Sequence, residues 1–418
     1  MKQYTITAPT HFDNTVLLPA SKSISNRSLI IHALSNGEVK PQNLSDCDDT
    51  QVILDAITHM PKEINVKAAG TAMRFLTAYL AVTKGEHIIT GTDRMKHRPI
   101  GPLVDSLRYM GADIEYLEEE GFPPLKITGK EIDGGLLEIP GNISSQYISA
   151  LLMIGPVLKN GLELTLTGTL ISRPYIDLTL WTMQQLGAKA EWSDVNVVSV
   201  KPYPYQSTNW MIESDWSAAS YWYETLALSH DFDNTFFLQG LLDGSKQGDS
   251  VLRYIFSLLG VKTSIEKPIQ QQPGGMRITR HMRTLPRLDY DFTNSPDLAQ
   301  TFVVSCSVLN IPFHFTGLSS LLIKETDRIK ALITEMLKLG YVIEERNNSE
   351  LIWNGLKIKP TLEPIETYED HRMAMSFAPA SIRFPGLKIN HPEVVSKSYP
   401  HFWDDLRRVG FIIEENDI

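Results

Sequence analysis

Hydrophobic positions along the chain repeat a helical pattern that ends each time at a glycine and leads into an alternating, strand-like pattern. Leu103–Gly111 is one example, because its apolar residues recur at helical spacing and predict one buried face. The glycine suits a helix C-cap with positive φ, and Ala112–Tyr116 then alternates as a strand does. The other copies share this order; they are Leu180–Gly187, Leu252–Gly260, Leu332–Gly340, Phe402–Gly410 and, in degenerate form, Val52–Met60.

The spacing of these copies indicates the architecture. Successive full copies lie ~70–80 residues apart, which is too long for a helical solenoid and favours globular domains built from repeated α/β units. Three copies fall on either side of Asn209–Asp215, where we place a change of domain. The pattern therefore predicts an α/β protein of two domains.

Composition narrows the class of protein. With 418 residues, of which 42% are hydrophobic and 21% charged, the chain can bury the cores of two or three domains. Apolar stretches such as Ala150–Leu158 are shorter than the ~18 residues that a membrane span needs. The start of the chain lacks a secretory or transit pattern, and the presence of only Cys47 and Cys306 excludes a disulfide framework. We therefore expect a soluble, cytoplasmic protein with no membrane partner.

Net charge restricts the partners further. The formal charge of -10 makes the chain a poor general binder of nucleic acid, which needs a broad basic surface. An anionic ligand would have to be held by a local concentration of cations that acts against the overall field.

Three polar segments stand directly before apolar helix patterns in the first half of the chain. Ser21–Arg27 combines candidate serine caps with two cations, Ala69–Arg74 places Thr71 as a hydroxyl cap ahead of an arginine, and Gly141–Gln146 ends in two serines and a glutamine. Helix N-termini with hydroxyls and cations suit oxyanions. Taken alone, Ser21–Arg27 is better explained by an ordinary serine cap with solvated cations.

Charged segments occur elsewhere in the chain. Arg94–Arg98 packs three cations and a histidine into five residues before a proline, and Lys324–Arg328 and Asp370–Arg372 alternate charges near predicted helix starts. Ser295–Asp297 offers a carboxylate at another helix start. Ion pairing on a solvated face would also explain the alternating segments.

Several familiar motifs are absent from the sequence. It contains no phosphate-loop motif, no dinucleotide-binding glycine motif, no His-Glu-x-x-His, no cysteine pair with zinc spacing and no Gly-x-Ser-x-Gly. These absences remove the usual support for nucleotide hydrolysis, hydride transfer, zinc chemistry and serine hydrolysis.

Taken in order, these segments resemble the 5-enolpyruvylshikimate-3-phosphate synthase (EPSP synthase) family over nearly the whole chain. The matching segments are Ser21–Arg27, Ala69–Arg74, Arg94–Ile100, Ser144–Gln146, Ser172–Tyr175, Asp215–Tyr221, Pro296–Asp297, Lys324–Arg328, Asp370–Met375 and Lys397.

The resemblance implies a fold and a division into domains. The fold is the enolpyruvyl transferase fold, a two-domain inside-out α/β barrel in which each domain has three β-α-β-α-β-β units and the active site lies between the domains. Residues 19–213 would form the N-terminal lobe on the shikimate 3-phosphate side. Residues 1–18 and 214–418 would form the C-terminal lobe.

The resemblance also implies the reaction. The enolpyruvyl (1-carboxyvinyl) group of phosphoenolpyruvate moves to the 5-hydroxyl of shikimate 3-phosphate and phosphate is released, a step of the shikimate pathway to chorismate and the aromatic amino acids. It implies a glyphosate-sensitive monomer that uses small-molecule substrates and needs no metal or other cofactor. The two substrates carry on the order of five to six negative charges.

Roles follow residue by residue from the resemblance. Asp297 would accept the 5-hydroxyl proton, Glu325 would protonate the methylene carbon, and Lys22 would assist proton transfer at the bridging oxygen. The implied shikimate 3-phosphate contacts are Lys22, Ser23, Arg27, Ser144, Ser145, Gln146, Ser172, Tyr175, Asp297 and Lys324. The implied phosphoenolpyruvate contacts are Lys22, Gly70, Arg74, Arg98, Gln146, Arg328, Arg372 and Lys397.

The chain departs from the family pattern at a few positions. Ala68 replaces a common asparagine, Ser320 and Leu322 replace a polar and a basic residue, and Phe75 stands where proline is frequent. These departures predict weaker phosphoenolpyruvate binding without loss of activity. Gly70, the small residue associated with glyphosate sensitivity, predicts inhibition.

Two other functions compete with this one. A UDP-N-acetylglucosamine enolpyruvyl transferase would share the fold and the donor, but its characteristic loop cysteine has no counterpart here. A non-catalytic phosphometabolite-binding protein would keep the cations without the proton chemistry, and the retention of Asp297, Glu325 and Lys22 argues against it.

Overall fold

The computed structural model describes residues 2–206, 208–268 and 274–417. The chain divides into two compact units. The continuous unit is Ala20–Ile212, and the split unit is Met1–Pro19 together with Glu213–Ile418. Among the described residues, no helix has both the length and the apolar character that crossing a bilayer requires.

Helices and strands alternate along both units. The helices are α1 Lys22–Leu34, α2 Asp48–His59, α3 Gly70–Val82, α4 Asp93–Lys96, α5 Gly101–Tyr109, α6 Ser145–Ile154, α7 Arg173–Gln185, α8 Trp216–Leu228, α9 Leu252–Ser257, α10 Ala299–Val308, α11 Arg328–Lys338, α12 His371–Phe377 and α13 Phe402–Arg408. The strands are β1 Lys2–Thr7, β2 Asp13–Leu17, β3 Val39–Gln42, β4 Glu63–Asn65, β5 Gly85–Thr90, β6 Asp113–Tyr116, β7 Leu125–Gly129, β8 Gly135–Pro140, β9 Leu162–Thr167, β10 Ala190–Asp194, β11 Val197–Val200, β12 Thr208–Met211, β13 Thr235–Gln239, β14 Val261–Glu266, β15 Gly275–Arg280, β16 Leu288–Asp291, β17 Phe313–Thr316, β18 Glu344–Arg346, β19 Glu350–Trp353, β20 Leu387–Asn390 and β21 Ile412–Asp417.

Four sheets of the described chain share one strand order. They are β4-β5-β7-β6 and β8-β9-β11-β10 in the continuous unit, and β2-β13-β15-β14 and β16-β17-β19-β18 in the split unit. In each sheet the first two strands are parallel and the other two pairings are antiparallel. In chain order a helix precedes the second strand of each sheet and another precedes the third, which lies at the far edge of the sheet. Each sheet is therefore one β-α-β-α-β-β unit.

Two reduced sheets complete the described pattern. In the split unit β1 lies between β20 and β21, and a parallel bridge from Ile365 to Ile389 stands where the first strand of a full unit would be. In the continuous unit the reduced sheet consists, among the described residues, of the parallel pair β12-β3.

The predicted helix–glycine–strand copies are confirmed as turns from α5 to β6, α7 to β10, α9 to β14, α11 to β18 and α13 to β21. Their glycines all have positive φ, and Gly111, with φ 104°, is typical. A Cβ at Gly111 would meet no atom within 4 Å, so the backbone angle alone requires glycine there. In the degenerate copy Met60 takes the left-handed conformation at φ 43°.

Each unit has an apolar core of its own. In the split unit the core runs from Ile6 on β1 to Phe411 beside β21 and includes the buried aromatic residues Trp222 and Trp353. In the continuous unit it runs from Leu29 on α1 to Tyr205.

Candidate active site

A fully buried arginine collects carboxylates in the split unit. Arg328 begins α11, and its side chain is 1% exposed. Its Nη1 lies 3.0 Å from Asp297 Oδ1, its Nη2 2.8 Å from Glu325 Oε2, and its Nε 2.6 Å from Asp370 Oδ2. Burial lowers the pKa of Arg328, but the three carboxylates outweigh this and raise it above its usual range. Arg328 is therefore permanently charged and fixes both predicted catalytic carboxylates.

Further cations surround Asp297. Lys324 Nζ lies 3.4 Å from Oδ1, Arg372 Nη2 lies 3.1 Å from Oδ2, and Arg372 Nη1 donates to the Asp297 carbonyl at 3.2 Å. Burial would raise the pKa of Asp297, but the charges of Arg372, Lys324 and Arg328 hold it well below its usual range. Asp297 is thus an ionised carboxylate that can accept a proton.

Asp370 organises the same cluster and was not among the predicted site residues. It caps α12, where its Oδ1 accepts from the backbone N–H of Arg372 at 2.9 Å. The same carboxylate binds Arg328 through both oxygens. Its signal in the sequence was an acidic residue directly before His371 and Arg372 at a helix start.

Lys397 lies at the end of the short helical turn Pro392–Lys397. Its Nζ donates to the Glu369 carbonyl at 2.8 Å. Through this contact Lys397 lies next to Glu369, the residue that precedes Asp370 in the chain.

Asp249 is a second carboxylate that sequence reasoning missed. It is buried in the turn Gly248–Val251 and accepts a short hydrogen bond from the Ser217 hydroxyl on α8. Burial raises the pKa of Asp249 to about 6, and the charge of Arg372 acts in the opposite direction. No motif marks this position, because its partners come from other elements.

In the continuous unit Arg27 is buried on α1 among neutral groups. Its Nε donates to Thr179 Oγ1 at 2.7 Å, Nη1 to the Ser23 carbonyl at 2.9 Å, and Nη2 to Ser149 Oγ at 3.1 Å and to the Tyr175 carbonyl at 3.3 Å. Burial lowers the pKa of Arg27 to about 10, so it stays charged at neutral pH. Among the described residues, its hydrogen-bond partners are hydroxyl and carbonyl groups, and no carboxylate forms an ion pair with it.

Gly70 lies beside two arginines that are predicted to bind phosphoenolpyruvate. It begins α3, and Arg74 Nη1 donates to its carbonyl at 2.9 Å. A Cβ at Gly70 would lie 2.6 Å from Arg74 Nη1 and 2.6 Å from Arg98 Nη1. Only glycine lets both guanidinium groups approach the start of this helix.

The prediction that Thr71 caps α3 is wrong. The cap position is Ala69, whose side chain cannot accept a hydrogen bond, and Thr71 lies inside the helix. The Thr71 hydroxyl instead accepts from Gln146 Nε2 at 3.1 Å, which joins two of the predicted polar segments.

The serine segments behave differently from one another. Ser144 caps α6 by accepting from the Gln146 N–H at 3.3 Å, and Ser145 is the first residue of that helix. Ser172 precedes α7 in the left-handed conformation at φ 53°, and its hydroxyl makes no capping bond. Such backbone strain is typical of functional sites, and it leaves the hydroxyl for another partner.

Lys22 begins α1 next to the cap residue Ser21. Its Nζ lies 3.5 Å from Asp49 Oδ2, and both side chains are largely buried. Asp49 carried no signal of its own in the sequence, because it reads as one of two acidic residues in the first turn of α2.

The structure therefore groups the predicted residues as follows. In the split unit it joins Asp297, Lys324, Glu325, Arg328 and Arg372, with Lys397 linked through Glu369. In the continuous unit it joins Gly70, Arg74 and Arg98 in one group, and Ser23, Arg27 and Tyr175 in another. Within the described part of the chain, no group of three or more His, Cys, Asp and Glu side chains could hold a metal ion.

Comparisons with known proteins show which family and which fold the chain resembles. A family model described as EPSP synthase (3-phosphoshikimate 1-carboxyvinyltransferase) matches residues 6–65 and 58–406. A 3-phosphoshikimate 1-carboxyvinyltransferase of Bacteroides fragilis is 56% identical over 99% of both chains, and one of Photobacterium profundum is 34% identical over 98% of this chain and 99% of its own. An EPSP synthase structure from Acinetobacter baumannii matches with a TM-score of 0.77 and 22% identity over 100% of both chains. The structural likeness confirms the fold expected from the sequence.

Proposed function

Because the chain belongs to the EPSP synthase family, we propose that it transfers the enolpyruvyl group of phosphoenolpyruvate to the 5-hydroxyl of shikimate 3-phosphate and releases phosphate. This reaction is a step in the biosynthesis of the aromatic amino acids. It needs a group that accepts the hydroxyl proton and a group that protonates the methylene carbon.

The binding of Asp297 and Glu325 to the same buried guanidinium is the observation that carries this proposal. Arg328 Nη1 lies 3.0 Å from Asp297 Oδ1 and its Nη2 lies 2.8 Å from Glu325 Oε2, so one cation fixes both carboxylates. A pair held in this way can divide the two proton transfers between its members.

In the first half of the reaction Asp297 takes the proton of the 5-hydroxyl group of shikimate 3-phosphate. The 5-hydroxyl oxygen then bonds to C2 of phosphoenolpyruvate. Glu325 must be protonated before it acts, and the negative charges of the bound substrates favour that form. It then gives its proton to C3, and a tetrahedral intermediate results. The low pKa of Asp297 makes it a weak base in the free protein. The negative charges of bound substrates would offset Arg372, Lys324 and Arg328 and raise that pKa toward the range of a useful base.

In the second half C3 returns its proton to Glu325 and the bond from C2 to the phosphate oxygen breaks. The proton taken by Asp297 leaves with the phosphate, and Lys22 assists its transfer at the bridging oxygen. The guanidinium groups stabilise the charge on the leaving phosphate.

The substrate contacts are part of the proposal. We assign to shikimate 3-phosphate the residues Lys22, Ser23, Arg27, Ser144, Ser145, Gln146, Ser172, Tyr175, Asp297 and Lys324. We assign to phosphoenolpyruvate the residues Lys22, Gly70, Arg74, Arg98, Gln146, Arg328, Arg372 and Lys397. Buried cations such as Arg27 and Arg328 support these assignments, since a low-dielectric setting strengthens their attraction for anions.

Phosphate release tests the function. The wild-type protein mixed with phosphoenolpyruvate and shikimate 3-phosphate should release phosphate, whereas UDP-N-acetylglucosamine in place of shikimate 3-phosphate should give none. Asp297→Asn and Glu325→Gln should each lower kcat at least ~100-fold, because a general acid or base contributes about that much. Phosphate release with UDP-N-acetylglucosamine but not with shikimate 3-phosphate would indicate the sugar-nucleotide transferase instead. Tight binding of both substrates without phosphate release would indicate a non-catalytic binding protein.

We also propose that the protein acts in the cytoplasm as a monomer. Both Cys47 and Cys306 are buried and unbridged, which suits a reducing compartment. Sedimentation of the purified protein with and without shikimate 3-phosphate measures its oligomeric state.

A further inference from the structure

A buried carboxylate outside the assigned groups fixes the segment that leads into α12. Glu335 lies about two turns beyond Arg328 on α11, and its side chain is fully buried. Its Oε1 accepts from the Tyr368 hydroxyl at 2.6 Å, and its Oε2 accepts from the backbone N–H of Glu366 at 3.0 Å. Lys338 Nζ lies 2.7 Å from Oε2 and balances the charge. Both oxygens of Glu335 thus tie α11 to residues 366–368.

The segment that Glu335 holds has an unusual backbone. Tyr368 has φ 53° and the next residue, Glu369, has φ 55°. Residues with a Cβ rarely adopt this left-handed backbone conformation. Two such residues in succession persist only where the surrounding structure enforces it. The bond from the Tyr368 hydroxyl to Glu335 is a restraint of that kind.

This turn presents two consecutive residues to the cations of the site. The Glu369 carbonyl accepts from Lys397 Nζ at 2.8 Å. The Asp370 carboxylate, one residue later, accepts from Arg328 Nε at 2.6 Å and from the Arg372 backbone N–H at 2.9 Å. Residues 369 and 370 therefore position the three cations that we propose bind phosphoenolpyruvate, which are Arg328, Arg372 and Lys397.

We propose that Glu335 and Tyr368 form a positioning pair that sets the left-handed turn at 368–369 and so places the phosphoenolpyruvate-binding cations of the split unit. The proposal rests on the proposed function for the identity of the ligand. Neither residue acts on the substrate itself; each acts through Glu369 and Asp370.

Steady-state kinetics of Tyr368→Phe test the pair. The variant keeps the ring and removes only the hydroxyl that donates to Glu335. We expect the KM for phosphoenolpyruvate to rise about tenfold, the size of effect for losing a hydrogen bond to a charged group. The KM for shikimate 3-phosphate should change less than about twofold, because most of its assigned contacts lie on other elements.

Tyr223→Phe is the matched control. Tyr223 is a fully buried tyrosine of α8 in the same unit, and its hydroxyl lies 2.9 Å from Thr263 Oγ1. This variant should lose stability in the same way but leave both KM values unchanged. An equal rise in the phosphoenolpyruvate KM of Tyr223→Phe would overturn the proposal, because the effect would then report general loosening.

Glu335→Gln addresses the pair from its other side. The amide keeps the shape of the side chain and replaces one of its two acceptor oxygens with a donor. The variant should raise the phosphoenolpyruvate KM as Tyr368→Phe does, and the double variant should be no worse than the more severe single variant. Fully additive effects would show that the two residues do not act as a unit.

Amide hydrogen exchange provides a readout that does not depend on turnover. In the wild-type protein the Asp370 N–H donates to the Thr367 carbonyl at 2.8 Å, and the Arg372 N–H donates to Asp370. A peptide covering 366–372 should exchange about tenfold faster in Tyr368→Phe and at the wild-type rate in Tyr223→Phe. If the wild type releases no phosphate, the proposed function fails while the exchange result still tests the turn. If phosphate is released but neither exchange nor KM changes in Tyr368→Phe, the positioning pair fails and the function stands.

Discussion

Gly70 leaves room for two guanidinium groups at the first turn of α3. A Cβ there would lie 2.6 Å from both Arg74 Nη1 and Arg98 Nη1. Both atoms end flexible side chains, so a methyl group would displace the arginines rather than prevent folding. The packing at this one residue thus sets the positions of both arginines, which we propose bind phosphoenolpyruvate.

Gly70→Ala should therefore raise the KM for phosphoenolpyruvate about tenfold, which corresponds to roughly 1.4 kcal/mol of lost binding. Inhibition by glyphosate should weaken in parallel, and the KM for shikimate 3-phosphate should stay within about twofold. Kinetics with each substrate varied in turn measure these values. An unchanged KM for phosphoenolpyruvate would mean that Arg74 and Arg98 do not bind it from these positions.

Asp249 makes the stability of the split unit depend on pH. Its pKa is raised to about 6 by burial, above the ordinary value for a carboxyl group, so the folded state binds this proton more tightly than the unfolded state. The stabilising contribution is present below about pH 4 and is lost as the pH rises through 6. At pH 7 the carboxylate is ionised and buried, and it lowers the free energy of unfolding.

Asp249→Asn should remove this dependence, since the amide oxygen still accepts from Ser217 but carries no charge. Relative to the wild type, the free energy of unfolding of the variant should increase by about 2 kcal/mol between pH 4 and pH 7. Urea unfolding at the two pH values measures the difference. A difference that does not vary with pH would contradict the raised pKa.

At the scale of elements, the helix–glycine–strand turn is the recurring unit. Gly111 ends the α5 copy at φ 104°, and a Cβ there would have open space around it, so the cost of any substitution comes from the backbone. Gly101, in the first turn of the same helix, has a negative or extended φ and would give a Cβ only ordinary contacts, the nearest at 3.6 Å.

Gly111→Ala should lower the free energy of unfolding by about 1 kcal/mol, because alanine resists the left-handed region. Gly101→Ala is the matched control and should be neutral or slightly stabilising. Thermal and urea unfolding of the two variants, compared with the wild type, give both values. Equal effects would show that the turn does not require a positive φ.

The elements that could be predicted from the sequence are those fixed by local pattern. Helical spacing followed by glycine located the turns after α5, α7, α9, α11 and α13, and serine before an apolar run located the start of α6. Thr71 was misplaced because an alanine at the cap position, supported by tertiary contacts, leaves no signature. Local pattern thus locates elements well and their caps less well.

Contacts between distant residues could not be predicted in this way. Arg27 binds Thr179, which lies 152 positions away, and Arg328 binds Asp370, which lies 42 positions away. The resemblance to a family identified the arginines together with Asp297 and Glu325. It did not identify Thr179, Ser149 or Asp370, which also hold these arginines. Glu335 and Asp249 are of the same kind, since their roles depend on partners that only the folded chain brings near.

At the scale of the whole molecule, the two compact units differ in how the chain builds them. The continuous unit is one stretch, Ala20–Ile212, with its own core. The split unit needs Met1–Pro19, because β1 is the central strand of β20-β1-β21 and β2 pairs with β13.

A fragment of residues 20–212 should therefore fold alone and unfold cooperatively in urea, as expected of a unit with its own core. Residues 213–418 alone should not, since removal of β1 leaves β20 and β21 without a common neighbour. Joining residue 418 through a short glycine-rich loop to residues 1–19 should restore folding, because Asp417 pairs with Lys2 in the antiparallel register. Circular dichroism and urea titration of the three fragments test this, and a stable fold of 213–418 alone would refute it.

The central position of β1 has a consequence for the order in which the chain is made. Ribosomes synthesise about 5–20 residues per second, so the strand at Lys2–Thr7 waits on the order of 20–80 seconds for Ile412–Asp417 to emerge. Until Leu387–Asn390 emerges late in that interval, both of its hydrogen-bonding edges are unsatisfied, and one edge stays so until Ile412–Asp417 follows. Ala20–Ile212 can already have folded around its own core by then. A nascent chain stalled before Ile412 should therefore expose the first strand to chaperones and proteases, and release of the completed chain should protect it.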